Sequence, residues 1–207
     1  MNGSCMNTGH YCCGTERIYV VDEVHDAFVD KVTERTRALR QSDTGESDVG
    51  AVFWDEQMKI IESHMEDARA KGANVLVGGR RNPELKGLYF EPTVVTDVTH
   101  DMDLMTKETF GPIVSIMKVA DEEEALSRAN DSEYGLNGNV WTKDTTKGLR
   151  LAERLDNTLD TRAVQMARLN SARFEDGLLM EGHQYGGVEV DPLTGKSPCE
   201  ATKQRDP

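Results

Sequence analysis

The sequence predicts an α/β fold, a largely parallel, twisted sheet with flanking helices, and two observations carry that expectation. Short β-branched runs at 18–21, 73–77 and 114–119 alternate with longer segments whose apolar residues recur at helical spacing. The 207 residues are enough to bury a sizeable core, as one domain or a domain with a tail.

Residues 18–21 read as a buried strand, and Asp22 is placed to cap a helix running to about residue 40. Val24, Ala27, Phe28, Val32 and Leu39 define its expected core face, although Lys31 and Arg35 intrude on it. The small and acidic residues of 41–48 form a solvated turn that lacks the ordered ligand pattern of a calcium loop. A second helix follows, with Asp55 as cap, Trp54, Met58, Ile61, Met65 and Ala68 along one side, and Gly72 as terminator.

A strand at 73–77, a turn at Gly78-Gly79 and an extended stretch at 87–95 interrupted by Pro92 come next. Gly78-Gly79-Arg80-Arg81 lacks the further glycines and the following helix of a phosphate loop. The strand at 114–119 leads to a helix capped by Asp121 that carries Ala125, Leu126 and Ala129. A turn and strand at 134–142 and a helix at 144–155 complete the order β-α-α-β-β-β-α-β-α.

The formal net charge of -13 argues against nucleic acid and anionic membrane as partners, since both need clustered Lys and Arg. No stretch approaches the roughly 18 consecutive apolar residues of a membrane span. Four cysteines, two of them adjacent, do not make a disulfide framework, so a reducing cytoplasm is the expected compartment.

The chemistry concentrates near the start of the chain, in Asn7-Thr8-Gly9-His10-Tyr11-Cys12-Cys13-Gly14-Thr15-Glu16-Arg17. A cysteine is a nucleophile only as its thiolate, which backbone N–H groups or a cation can favour. Gly9 and Gly14 allow tight turns and close backbone approach, and His10 and Arg17 are candidate cationic neighbours. Two other readings stand beside this one. Cys12 and Cys13 could be small buried apolar residues, or ligands of a metal together with His10. The metal reading is poor in spacing, because the remaining thiols are Cys5 and Cys199.

This segment resembles the active-site stretch of the NAD(P)-dependent aldehyde dehydrogenases, in which a glycine, usually a glutamine, any residue and the nucleophilic cysteine follow in order. The resemblance assigns the nucleophile to Cys12, with His10 standing where glutamine is usual. Glu108-Thr109-Phe110-Gly111-Pro112 is similar to the family's Glu-x-Phe-Gly-Pro motif. Asn130 with Tyr134-Gly135-Leu136, and Leu88-Tyr89-Phe90-Glu91-Pro92-Thr93, match further stretches in the expected order. On these motifs, residues 1–156 are identified as a partial catalytic domain of the aldehyde dehydrogenase type.

The resemblance implies a fold, a reaction and three site residues. Cys12 would attack an aldehyde carbonyl, forming a thiohemiacetal and then a thioester, while NAD or NADP accepts hydride and a carboxylic acid is released. Glu108 would accept hydrogen bonds from the ribose hydroxyls beside the nicotinamide, and Phe110 would pack near its ring. No metal is implied. The implied partner is a small-molecule aldehyde, with a homo-oligomer open.

Cys12 lies so close to Met1 that the family's N-terminal cofactor-binding domain has no counterpart here, so activity is expected to be impaired. The alternative is a catalytically inactive fragment that acts, if at all, through protein association. Residues 157–207 carry no recognised motif and read as a polar tail for which disorder is one expectation. Within it, Leu193-Thr194-Gly195-Lys196-Ser197-Pro198 faintly resembles a family segment but follows Cys12 instead of preceding it, and Pro192 holds the glutamate position.

Overall fold

The computed structural model describes residues 2–155. Cys199, residues 193–198 and the tail at 157–207 lie outside the described residues. A short helix α1 (Asn2–Cys5) and a 3-10 turn (Met6–Gly9) lead through the cysteine loop into strand β1 (Arg17–Val21). Helix α2 (Asp22–Arg37), helix α3 (Asp55–Ala70), β2 (Asn74–Val77), β3 (Thr93–Thr96) and α4 (Asp103–Thr106) follow. The described chain then forms β4 (Ile113–Val119), α5 (Glu122–Asn130) and α6 (Thr145–Ala152).

The four strands form one sheet in the order β1-β4-β3-β2. β4 pairs parallel with both β1 and β3, while β2 runs antiparallel to β3, so the sheet is mixed and largely parallel. Parallel neighbours need crossovers that cover the sheet faces, and both faces of β4 are accordingly apolar. Ile113, Met117 and Val119 join one core cluster with Met58, Ile61, Met65 and Ala68 of α3. Val114 and Ile116 point into a second cluster with Val29 and Val32 of α2. The alternation along β4 thus sets the two long helices on opposite faces.

Local chemistry explains the helix ends. At the end of α3, Gly72 takes φ +93°. Its N–H donates to Arg69 O at 3.1 Å and that of Ala73 to Ala68 O at 2.9 Å, a Schellman pair that a residue with a Cβ would strain. Asp121 accepts from the Glu124 N–H and Asp144 from the Lys147 N–H, so both act as N-caps. Asp22 and Asp55 differ from expectation. Each is the first helical residue, after Val21 and Trp54 respectively, with no side-chain cap bond; their charges instead lie in the first turn, where the helix dipole favours them.

Four further expectations need correction. The buried side of α2 is His25, Val29, Val32, Thr33 and Thr36, while Val24 is 52% exposed. This rotation takes Lys31 and Arg35 off the core face, which removes the conflict in the sequence pattern. Trp54, expected in the core of α3, is likewise 52% exposed, because it precedes the helix and does not share its periodicity. Residues 134–142 form no strand, and of the stretch 87–95 only 93–95 enter the sheet, as part of β3 (Thr93–Thr96). A strand exists only where a partner completes its ladder. Among the described residues none lies beyond β1, and Phe90 meets Arg81 as a single bridge.

Candidate active site

The cysteine loop is a turn fastened at both ends. The Gly14 N–H donates to Tyr11 O at 3.0 Å, which places Cys12 and Cys13 at the two central positions of a four-residue turn. Thr15 N–H donates to Gly3 O at 2.7 Å, Ser4 Oγ donates to Thr15 O at 2.6 Å, and Tyr11 Oη donates to Gly3 O at 2.5 Å. The N-terminal residues therefore fold back to brace the turn. Cys12 is exposed and Cys5 is buried, and burial pushes the Cys5 thiol up to about 11.

Immediately before the turn, Asn7, Thr8 and Gly9 have φ of +49°, +61° and +79°. The left-handed region costs a side-chain-bearing residue about 1–2 kcal/mol, most for a β-branched one. Asn7 Nδ2 donates to His10 O, and the Asn7 backbone carbonyl accepts the His10 N–H, which together offset part of that cost. Gly9 has no alternative, since a Cβ there would sit 2.1 Å from Gly111 O. A Cβ on Gly111 would in turn sit 2.7 Å from Ile61 Cδ1. Backbone, backbone and α3 are thus stacked without a side chain between them.

Glu16 joins the loop to the segment 108–112. Its carboxylate accepts from the Thr109 N–H at 2.9 and 3.1 Å and from the Phe110 N–H at 2.8 Å. Burial pushes the Glu16 carboxyl above the usual range; the Phe110 and Thr109 bonds pull it back, Glu108 adds to the rise and Arg17 opposes it. Thr109 is also held from α3, because Gln57 Nε2 donates to its carbonyl at 2.7 Å and His64 Nδ1 lies 3.0 Å from its Oγ1. Phe110 sits at φ +47°, a strained setting that these anchors maintain.

The three sequence-derived site residues stand as follows. Cys12 is displayed on the turn, Glu108 is exposed, and Phe110 is half-buried. The loop and the 108–112 segment meet through the Glu16 bonds and the Gly9–Gly111 contact. None of the described hydrogen bonds or ion pairs uses the Glu108 carboxylate, so both oxygens are available to hydroxyl donors.

A third segment closes on the loop. Asn137 Nδ2 donates to Cys13 O at 2.9 Å, and the Arg17 guanidinium lies over the Tyr134 ring at 5.5 Å. The Leu88–Thr93 stretch has a supporting place instead: Phe90 is buried and the Thr93 N–H donates to Pro112 O at 2.9 Å.

His10 departs from its expected role as a cation. Burial pushes its imidazole below the ordinary value, its Nε2 is buried with no hydrogen-bond partner among the described residues, and its ring meets Phe53 edge-on at 5.0 Å. That burial favours the neutral imidazole over the cation. Among the described residues no group of three or more His, Cys, Asp or Glu is arranged to hold a metal ion, and no helix is long and apolar enough to cross a membrane.

Sequence reasoning missed Glu16, Gln57, His64 and Asn137. For two of them a signal existed: Gln57 and His64 fall on the apolar arc of α3 with Ile61, Met65 and Ala68, and polar residues at core positions need partners. Glu16, between Thr15 and Arg17 in a loop, offered none.

Comparison with known proteins bears on all of this. Residues 1–162 match the model described as "Aldehyde dehydrogenase family". A putative succinate-semialdehyde dehydrogenase [NADP(+)] 2 of Mycobacterium ulcerans is 44% identical over 151 residues, covering 72% of this chain and 29% of that protein. The succinate-semialdehyde dehydrogenase [NADP(+)] 2 of Schizosaccharomyces pombe is 39% identical over 150 residues, covering 72% and 30%. Among solved structures, betaine aldehyde dehydrogenase from Staphylococcus aureus in complex with NAD+ superposes with a TM-score of 0.72 at 35% identity. That match covers 76% of this chain and 32% of the other. The chain therefore spans about 30% of the length of the curated relatives it matches.

Proposed function

The chain belongs to the aldehyde dehydrogenase family, and on that premise we propose that it carries the nucleophile and the nicotinamide-facing residues of an enzyme oxidising an aldehyde to a carboxylic acid. The observation that carries this reading is the Glu16 link, which joins the Cys12 loop to the segment bearing Glu108 and Phe110.

In this reading the Cys12 thiolate forms a carbon–sulfur bond to the aldehyde carbonyl, giving a thiohemiacetal whose oxygen becomes anionic. The Cys12 N–H, uncommitted among the described hydrogen bonds, is placed to stabilise that oxygen. Glu108 would hold the ribose hydroxyls of NAD or NADP and Phe110 would orient the ring, and the bound nicotinamide would supply the two-electron acceptor. Loss of the thiohemiacetal hydrogen as hydride leaves a thioester on Cys12, and water cleaves it to the acid and the free thiol. The relatives' names favour a semialdehyde that already bears a carboxylate, as in succinate semialdehyde, and NADP as the first dinucleotide to test.

Turnover by the 207-residue chain is expected to be impaired, since the relatives are about three times longer than the matched segment. The test therefore separates binding and labelling from turnover. Iodoacetamide should modify Cys12 faster than the buried Cys5, NADPH should bind with a change in its fluorescence, and NADP should slow Cys12 labelling. A chain that binds neither NADPH nor NADH and labels Cys12 no faster than Cys5 would leave only a non-catalytic, associating role.

A further inference from the structure

The chemistry above gives Glu16 no part, yet its carboxylate makes the described hydrogen bonds between the nucleophile loop and the segment of Glu108 and Phe110. We propose that Glu16 is a positioning residue: by accepting the N–H groups of Thr109 and Phe110, it holds Phe110 and Glu108 in fixed register with Cys12. The proposal rests on the reading of Glu108 and Phe110 as nicotinamide-facing residues.

Three features support it. Two successive backbone N–H groups converge on one carboxylate at 2.8 to 3.1 Å, an arrangement that an acceptor-only side chain with two oxygens suits and a hydroxyl does not. Phe110 is held at a positive φ, so its N–H direction and its ring are set together. Thr109 has each polar group committed, its N–H to Glu16, its Oγ1 to His64 and its carbonyl to Gln57. His64 and Gln57 tie residue 109 to α3. Glu16 ties it to the loop, across 93 residues of chain. Losing a clamp from α3 loosens residue 109 against the core, whereas losing Glu16 uncouples the two functional segments.

Burial opposes ionisation of Glu16, while the Phe110 and Thr109 N–H groups it accepts favour it. Arg17, next in sequence, favours the carboxylate, while the Glu108 carboxylate opposes it. An ionised acceptor binds N–H groups about twice as strongly as a neutral one.

The experiment uses the full 207-residue chain, with amide hydrogen exchange by NMR and NADPH titration on wild type, Glu16→Ala and Glu16→Gln. Glu16→Ala should speed exchange at Thr109 and Phe110 by about tenfold or more and weaken NADPH binding by a similar factor. Exchange at Val94 and Ile116 in the sheet should stay within twofold of wild type. Glu16→Gln keeps one acceptor oxygen without the charge and should recover part of both effects. It also serves alone if the alanine variant does not fold, since it should then speed exchange at Thr109 and Phe110 but not in the sheet. Unchanged exchange at Thr109 and Phe110, or equal acceleration there and in the sheet, would overturn the proposal. A wild-type chain that fails to bind NADPH or NADH would overturn the functional reading, and amide exchange would still decide the role of Glu16.

Discussion

Helices α2 and α3 are each 16 residues long, amphipathic, and packed on opposite faces of one sheet, but they handle buried polar groups differently. α3 buries Gln57 and His64, and both are spent on Thr109. α2 buries His25 and Thr33; His25 Nδ1 meets only its neighbour Asp26 at 2.8 Å, and His25 Nε2 and Thr33 Oγ1 have no hydrogen-bond partner among the described residues. Thr36 Oγ1 donates within its own helix, to Val32 O. A buried polar atom with a distant, specific partner is working on something outside its own element. One without a partner is a small cost left in a scaffold. The comparison separates a helix that builds the site from a helix that closes the sheet.

The largest effect should come from the stack that α3 supports. Gly9→Ala places a methyl 2.1 Å from Gly111 O at φ +79°, and overpacking plus backbone strain should cost about 3 kcal/mol or more. Urea unfolding would show this as a lower midpoint at constant slope, and an unchanged midpoint would mean that the loop does not rest on Gly111. Next, Gln57→Ala should cost about 1–3 kcal/mol by leaving the Thr109 carbonyl unpaired. Its mark should be a shifted Phe110 amide resonance; loss of stability without that shift would make Gln57 ordinary packing.

A pH titration sharpens the same contrast. Burial holds His64 below its ordinary value of 6.5, with Asp103 and Asp67 opposing and Lys107 assisting. The unfolded chain therefore binds protons that the folded chain refuses, and stability falls as pH drops below about 6.5. His10, lowered by burial too, adds in the same direction. His64→Leu should flatten that decline, measured as urea midpoints between pH 7.5 and 5. The smallest effect belongs to α2, where Thr33→Val removes a partnerless hydroxyl and should be neutral or stabilising by about 0.5–1 kcal/mol. A clear loss there would give Thr33 a partner and weaken the contrast.

How much of this was legible beforehand follows from the same residues. Met58, Ile61, Met65 and Ala68 were readable because apolar periodicity reports burial directly. The face of α2 was misjudged because Val24 and Phe28 outweigh His25, Thr33 and Thr36 on any hydrophobic count, yet the sheet buries the latter set. The site motifs were readable by resemblance. What joins them was not: Glu16 acts on backbone N–H groups 93 positions away, and backbone groups carry no sequence signature. The strand expected at 134–142 failed for a related reason, since strand formation depends on a partner the segment itself does not encode.

The same long span bears on how the molecule acquires its form in time. β1 is made early but pairs with β4, and the Glu16 bonds close a loop of 93 residues. By loop-closure scaling that step carries an entropic cost of about 4 kcal/mol, which α2, α3 and β3 must first help to offset by drawing the ends together. At ribosomal speeds of about 5–20 residues per second, the thiol loop waits on the order of 5–20 s before the chain that completes it exists. Throughout that interval Cys12 and Cys13 lack the completed loop contacts of the folded chain. A translation-coupled labelling experiment should find them reactive early, with the neighbourhood of Cys12 changing only after β4 has emerged and docked.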